Sequence, residues 1–235
     1  SNARLARRMT APCSVAARID LDQMEIDPAR ARLMEAFRDG AGFIHYSGHG
    51  GLFSLSGRKL LTVSDVGAMA DTVRPPVVVA LSCLVGRYES PATDSLGEVL
   101  MRRPRGGAVA VLGPSGLSYD APATELGDAF YRAALTEGAG TLGMAFLRAR
   151  RSLPDDLFTR DTFAVYNLLG DPALRLGQAG DRLWAGQTIP LPDAGDPGVE
   201  MGMGHKAEAF AEEVRRFFEE AMTPELRARA HHSTE

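Results

Sequence analysis

The sequence predicts an α/β fold, a mostly parallel sheet with helices on both faces, and three observations carry that prediction. Two short apolar runs, Phe43–Ser47 and Val77–Leu81, each stop abruptly at turn-forming residues, as strands buried on both faces do. A polar loop and the helix-like stretch Ser64–Asp71 separate them, long enough for a right-handed crossover between parallel neighbours. A third run, GGAVAVLG at residues 106–113, follows another helix signal. Strands alternating with helices make a layered α/β domain.

In chain order, SVAARIDL (residues 14–21) alternates Val15, Ala17, Ile19 and Leu21 and reads as a first strand. Asp27 is expected to cap a helix with Pro28 at its first position, and Gly40 to stop it after Phe37. The run from Phe43 enters the glycine-rich turn GHGG. Thr62 or Ser64 is expected to cap the crossover helix, and Arg74-Pro75-Pro76 to end it before Val77. After Cys83 come the polar loop at residues 84–94 and a short helix, SLGEVLMRR, followed by the GGAVAVLG strand. Helices are expected near residues 123–136 and 141–153. The segment TFAVYNLLGDPALRL ends the domain, with Asp171 fixing a turn before its last strand.

Residues 1–176 therefore read as one domain, and residues 177–204, rich in Gly, Pro and Asp, as a linker. Residues 205–235 read as a helical appendage, with Phe210, Val214, Phe217, Phe218 and Ala221 on one amphipathic stripe. That stripe is expected to dock on this domain's own surface or on a partner.

Composition narrows the function. The chain has 235 residues, 45% hydrophobic and 24% charged, enough apolar content for a packed core. Its net charge of −4 argues against nucleic acid as a general partner. No apolar run reaches the ~20 residues that span a bilayer. Two cysteines, Cys13 and Cys83, do not make a disulfide framework. The opening Ser1-Asn2-Ala3 reads as a tag-cleavage scar, so localisation is not read from this end.

The two apolar runs each deliver one chemically able side chain, His49 and Cys83, to the end of a strand. Neighbouring strands lie roughly 4.8 Å apart, so both side chains are expected in one crevice at the carboxyl edge of the sheet. A histidine beside a cysteine makes a nucleophile and its proton partner. The plainer readings are a tight turn for GHGG and a buried structural thiol for Cys83. His45 and His49 span a strand and a glycine turn, so they do not share a helix face as a zinc pair would; no metal and no cofactor are implied. Ser115 lacks the spacing of a nucleophile elbow, and no G-x-G-x-x-G follows the first strand, which disfavours a nucleotide-binding domain.

HYSGHGG, ALSC, SLGEVL, GGAVAVLG and YNLLGDPALRL together resemble the gingipain-type cysteine peptidases, over residues 14–176. That resemblance implies a caspase-like three-layer sandwich and a cysteine endopeptidase acting on peptide or protein substrates. It implies His49 as catalytic histidine, Cys83 as nucleophile, and the backbone N–H groups of Gly50 and Cys83 as oxyanion donors. It assigns Ser115, Gly116, Leu117, Ser118 and Tyr119 to the substrate-pocket wall. Asp120 and Glu89, read as loop residues at the same sheet edge, are candidates to receive a basic side chain, the plainer reading being solvated carboxylates. Glu98 matches the family's Leu-Gly-Glu helix start. The family leans to secreted or cell-surface proteins.

The resemblance also implies strand–helix units ahead of Ser14, supplying a central strand, an acidic partner for the histidine and much of the specificity pocket. Fourteen residues precede Val15 here, so a partner segment or chain is expected to complete the sheet. The alternatives are a catalytically incomplete interaction module and a caspase-like domain of the kind found beside helical repeats.

Overall fold

A computed structural model of the chain describes residues 17–90 and 92–176; the linker and appendage expected at residues 177–235 lie outside the described residues. Four strands form the main sheet: β1 (Phe43–Ser47), β5 (Val77–Leu81), β6 (Ala110–Pro114) and β7 (Tyr166–Gly170), in spatial order β1-β5-β6-β7. β1, β5 and β6 run parallel, with Phe43 opposite Val77 and Val77 opposite Ala110. β7 runs antiparallel, Tyr166 opposite Pro114 and Gly170 opposite Ala110. The sheet is thus mainly parallel, as expected.

The strand period sorts β5 onto two cores. Val77, Val79 and Leu81 meet α4 (Asp120–Leu135) and α5 (Leu142–Arg151) through Leu126, Phe130 and Leu142. Val78 and Ala80 meet α1 (Ile26–Asp39), α2 (Val63–Gly67) and α3 (Leu96–Arg102) through Leu33, Phe37, Val66 and Leu100. Because side chains alternate faces, all five β5 residues are buried, which is why the run carries no polar residue. The result is a helix–sheet–helix sandwich. No helix among the described residues is long and apolar enough to cross a membrane.

Local chemistry explains the helix ends. Gly40, left-handed at φ 76°, caps α1. The Thr62 hydroxyl accepts from the Asp65 N–H while the Asp65 carboxylate accepts from the Thr62 N–H, and Ser95 and Glu98 repeat the arrangement at α3. Each such reciprocal cap satisfies two otherwise orphaned donors.

Several expectations are corrected. Residues 17–21 form no strand: Asp20 turns the chain, its carboxylate accepting from the Asp22 N–H and its carbonyl from the Gln23 N–H. Ile19 and Leu21 instead are partly buried against the core that holds Leu33 and Phe37, so alternation here reflects two half-buried side chains and not a sheet ladder. The first helix starts at Ile26 with Glu25 at its N-cap, leaving Asp27 inside the first turn, paired with Arg30 at 2.9 Å. Between β1 and α2 lies a small antiparallel sheet of two-residue strands, β2 (Gly50–Gly51), β3 (Ser54–Leu55) and β4 (Leu61–Thr62). The YNLL stretch splits from its predecessor: α6 (Leu157–Val165) ends where β7 begins. Asp171 follows the last strand and does not precede it, accepting from the Ala173 N–H at 2.8 Å.

Candidate active site

The histidine end is built from β1 outward. Beyond Ser47 the chain turns through Gly48, whose N–H donates to the Leu81 carbonyl at 3.1 Å. Gly48 has φ +149°, and a Cβ there would meet Tyr46 Oη at 3.0 Å. Tyr46 Oη donates to the His49 carbonyl at 2.6 Å, and the Ser56 N–H donates to the same oxygen at 2.8 Å. The peptide of His49 is therefore pinned twice while its side chain stays exposed. Burial raises the Tyr46 pKa above its ordinary value, so the phenol stays protonated as a donor.

The cysteine end grows from β5. Ser82 is buried, and Cys83, a free thiol, is partly buried. Leu84 then takes a left-handed backbone at φ 61°, which costs a bulky residue about 1–2 kcal/mol. The turn is held against β6 by the Leu84 N–H to the Gly116 carbonyl (3.1 Å) and the Gly86 N–H to the Pro114 carbonyl (2.9 Å). Cys83 Sγ lies 3.9 Å from the Ser118 carbonyl oxygen, and the Ser118 hydroxyl donates to the Ser82 carbonyl at 2.6 Å.

The two ends meet at Gly50. A Cβ on Gly50 would stand 2.8 Å from the Cys83 carbonyl oxygen and equally close to Ser82 Cβ and Oγ. His49 thus sits between two residues, Gly48 and Gly50, that both touch the Leu81–Cys83 end of β5. At Gly50 only glycine permits that backbone approach.

The loop Ser115–Ser118 forms the opposite wall. Ser115 is tied to the start of β7: its N–H donates to the Val165 carbonyl at 2.7 Å, and Asn167 Nδ2 donates to Ser115 Oγ (3.2 Å) and to the Val165 carbonyl (2.8 Å). Between Val165 and Asn167, Tyr166 is 1% exposed. Its hydroxyl faces Ser118 and Ser82 without reaching full hydrogen-bond geometry to either. Burial foremost pushes its pKa up to about 12.

Of the residues expected at the site, Gly50 and Ser118 lie against Ser82 and Cys83, and Gly116 accepts from the Leu84 N–H beside them; His49 directly precedes Gly50, with its side chain exposed. Tyr119 follows Ser118 and is exposed. Asp120 is not a loop residue: it opens α4, where its carboxylate favours the helix N-terminus. Glu89 is exposed and paired with Arg87 at 3.1 Å. His45 is a packed strand residue, its Nδ1 3.3 Å from Tyr131 Oη and its ring edge-on to Tyr131. Tyr46, Ser82, Tyr166 and Asn167 were not singled out by sequence, although they lie inside the motifs HYSGHGG, ALSC and YNLLGDPALRL.

The model of peptidase family C25 matches residues 11–177. The chain belongs to peptidase family C25. No curated protein matches it. Among solved structures, this C25 chain is similar to the Arg-specific cysteine proteinase gingipain R, with 16% identity and a TM-score of 0.60 over 74% of this chain and 42% of that one. It is similar to the complex of Porphyromonas gingivalis RgpB pro- and mature domains, with 16% identity and a TM-score of 0.58 over 72% and 41%. A third structure, described as a protease, shows 20% identity and a TM-score of 0.54 over 62% and 37%. The C25 chain spans about two fifths of the length of these structures. Family and fold make it a gingipain-like cysteine peptidase domain.

Proposed function

We propose that the chain hydrolyses peptide bonds as a cysteine endopeptidase, with Cys83 as nucleophile and His49 as general acid and base. The observation that supports this most is the close approach of the Gly50 main chain to Ser82 and Cys83, which brackets His49 against the end of β5. A free thiol with a pKa near 8.5 is only a few per cent thiolate at neutral pH. An imidazole beside it takes the Sγ proton, and Sγ attacks the substrate carbonyl carbon. Charge developing on the carbonyl oxygen meets the N–H groups of Gly50 and Cys83, donors aimed where the charge appears. His49 then protonates the departing amine, and water, deprotonated by His49, hydrolyses the acyl-enzyme. The substrate lies extended along Ser115–Ser118, pairing as an added strand.

β1 is an outer strand among the described residues. Its free ladder groups are proposed to accept a strand from another segment or chain; one structural neighbour is itself a complex of pro- and mature domains.

The test is the rate of thiol alkylation. Iodoacetamide should modify Cys83 much faster than Cys13, with an inflection below the ~8.5 of a free thiol, and His49→Ala should slow it. Cys83→Ala should abolish peptide hydrolysis while the fold persists. Slow, equal labelling of both cysteines would make Cys83 a structural thiol and put the interaction-module reading first.

A further inference from the structure

The Tyr166 hydroxyl is buried and has no hydrogen-bond partner among the described residues. Such a group is costly to keep unpaired, so its place at the edge of a candidate site calls for a reason. Tyr166 opens β7 opposite Pro114. The bonds that Ser115 and Asn167 make to the Val165 carbonyl fix the chain just before it. The residue is 1% exposed, and its hydroxyl faces the Ser118 side chain and the Ser82 main chain.

What lies between Tyr166 and Cys83 is a single peptide group. The Ser82 carbonyl points towards the loop after β6, where it accepts from the Ser118 hydroxyl at 2.6 Å. A trans peptide points its N–H opposite to its carbonyl. The Cys83 N–H therefore faces the β1 side, where Gly50 stands against Ser82 and Cys83. That N–H is one of the two donors proposed above for the oxyanion. The side chain that holds its peptide from behind is Ser118, and the unpaired hydroxyl behind Ser118 is that of Tyr166.

We infer that Tyr166 is a positioning residue for the hydrolysis, acting through Ser118 on the peptide that carries the Cys83 N–H. The chain of donors runs from Tyr166 O–H to Ser118 Oγ, from Ser118 O–H to the Ser82 carbonyl, and from the Cys83 N–H to the substrate oxygen. When Sγ adds to the substrate carbonyl carbon, the π pair moves onto that oxygen. Donation to it makes the Ser82 carbonyl a better acceptor, which draws the Ser118 proton and makes Ser118 Oγ a better acceptor in turn. The Tyr166–Ser118 bond, unmade at rest, is thus worth most in the transition state, where an added interaction raises the rate. Burial keeps the proton on Tyr166, its pKa pushed up to about 12, so the hydroxyl has one to donate. The inference rests on the peptidase reading above.

The experiment compares two reactions of Cys83 in the full chain and in its Tyr166→Phe, Ser118→Ala and doubly substituted forms. With p-nitrophenyl acetate, Sγ adds to the ester carbonyl, charge builds on its oxygen, and p-nitrophenolate departs to leave an acetyl thioester. With iodoacetamide, Sγ displaces iodide and no charge builds on a carbonyl oxygen. The ester rate is p-nitrophenolate release in excess of the Cys83→Ala chain; alkylation is followed by mass spectrometry. Losing a whole oxyanion donor costs about 10²–10³ in rate, and losing the support behind one should cost about tenfold. Tyr166→Phe should therefore slow the ester reaction about tenfold, while alkylation and its pH inflection hold steady. The double form should be no slower than Ser118→Ala, because the two hydroxyls act in series. An unchanged ester rate in Tyr166→Phe, or equal slowing of both reactions, would overturn the inference and leave the peptidase reading standing. Additive losses in the double form would equally sink the route through Ser118. If iodoacetamide modifies Cys83 no faster than Cys13, the peptidase reading falls, and this inference with it.

Discussion

Two adjacent glycines offer a sharp test of how His49 and Cys83 are brought together. A Cβ on Gly50 would meet three atoms of Ser82 and Cys83 at 2.8 Å, whereas a Cβ on Gly51 would meet nothing within 4 Å. Non-bonded carbon contacts settle near 3.5–4.0 Å, so Gly50→Ala forces the β1–β2 turn and the end of β5 apart by roughly 0.7 Å or more. One of the clashing atoms is a main-chain oxygen, which has no rotamer to escape into. Overpacking of this kind costs about 1–3 kcal/mol, offset by about 0.4–1 kcal/mol from the stiffer unfolded chain. Gly50→Ala should therefore be about 1–2 kcal/mol less stable in urea unfolding. Gly51→Ala should be as stable as the parent or slightly more so. Because displacements near 1 Å at reacting groups can cost about a hundredfold in rate, Gly50→Ala should also depress peptide hydrolysis far beyond its loss of stability. If the two alanine variants unfold at the same urea concentration and Gly50→Ala keeps its full rate, the histidine turn does not lean on the cysteine turn, and the case for a shared crevice fails.

Acid should weaken the fold through His45. Burial lowers its pKa from 6.5 to about 4, so the unfolded chain takes the proton first as pH falls; the contribution is complete above about 6.5 and is lost as pH descends towards 4. That loss amounts to roughly 2 kcal/mol between pH 7 and 4.5. His45→Phe should flatten that limb in urea titrations while costing about 1 kcal/mol at pH 7, because Tyr131 Oη loses its partner; an unchanged acid limb would mean that His45 does not report the fold's acid sensitivity. Asn167→Ala should release the Ser115–Ser118 wall, which a peptide must line but a small reagent need not. Modification of Cys83 by a peptide electrophile should then fall several-fold more than modification by iodoacetamide, and equal slowing of both would assign Asn167 to stability alone.

The parts of the fold that the sequence displays are those set by local chemistry or by burial on two faces. VVVAL at residues 77–81 is uniformly apolar because helices cover both sides of β5, and AVLGP at residues 110–114 is so in β6 for the same reason. The caps at Thr62 and Ser95 are visible because their partners, Asp65 and Glu98, stand three residues away. The two-residue strands of the small sheet were invisible, since no period fits in two residues. Residues 17–21 misled for a related reason: alternating apolar side chains serve equally a strand and a turn that partly buries Ile19 and Leu21. In TFAVYNLL the apolar side chains are continuous across the junction of α6 and β7, so hydrophobicity alone did not mark where one period replaced the other.

The candidate site shows the same division, and the topology explains it. β1, β5 and β6 are parallel, so all three end at one edge, and each delivers a piece from its carboxyl end: His49 after β1, Cys83 after β5, Ser115–Ser118 after β6. Reactive side chains placed just past apolar runs are conspicuous in a sequence. β7 is antiparallel and begins at that edge, with Tyr166 opposite Pro114. What it brings there is the start of a strand, Val165–Asn167, entering from α6. A strand start faces inward as part of the core, and its residues look like core: Tyr166 is 1% exposed and Asn167 spends its amide on Val165 and Ser115. The bonds that matter join positions some fifty residues apart, so no local pattern betrays them. Three strands thus present the chemistry and the reversed fourth buttresses one wall. Loosening that buttress should disturb how a peptide is held before it disturbs the thiol itself.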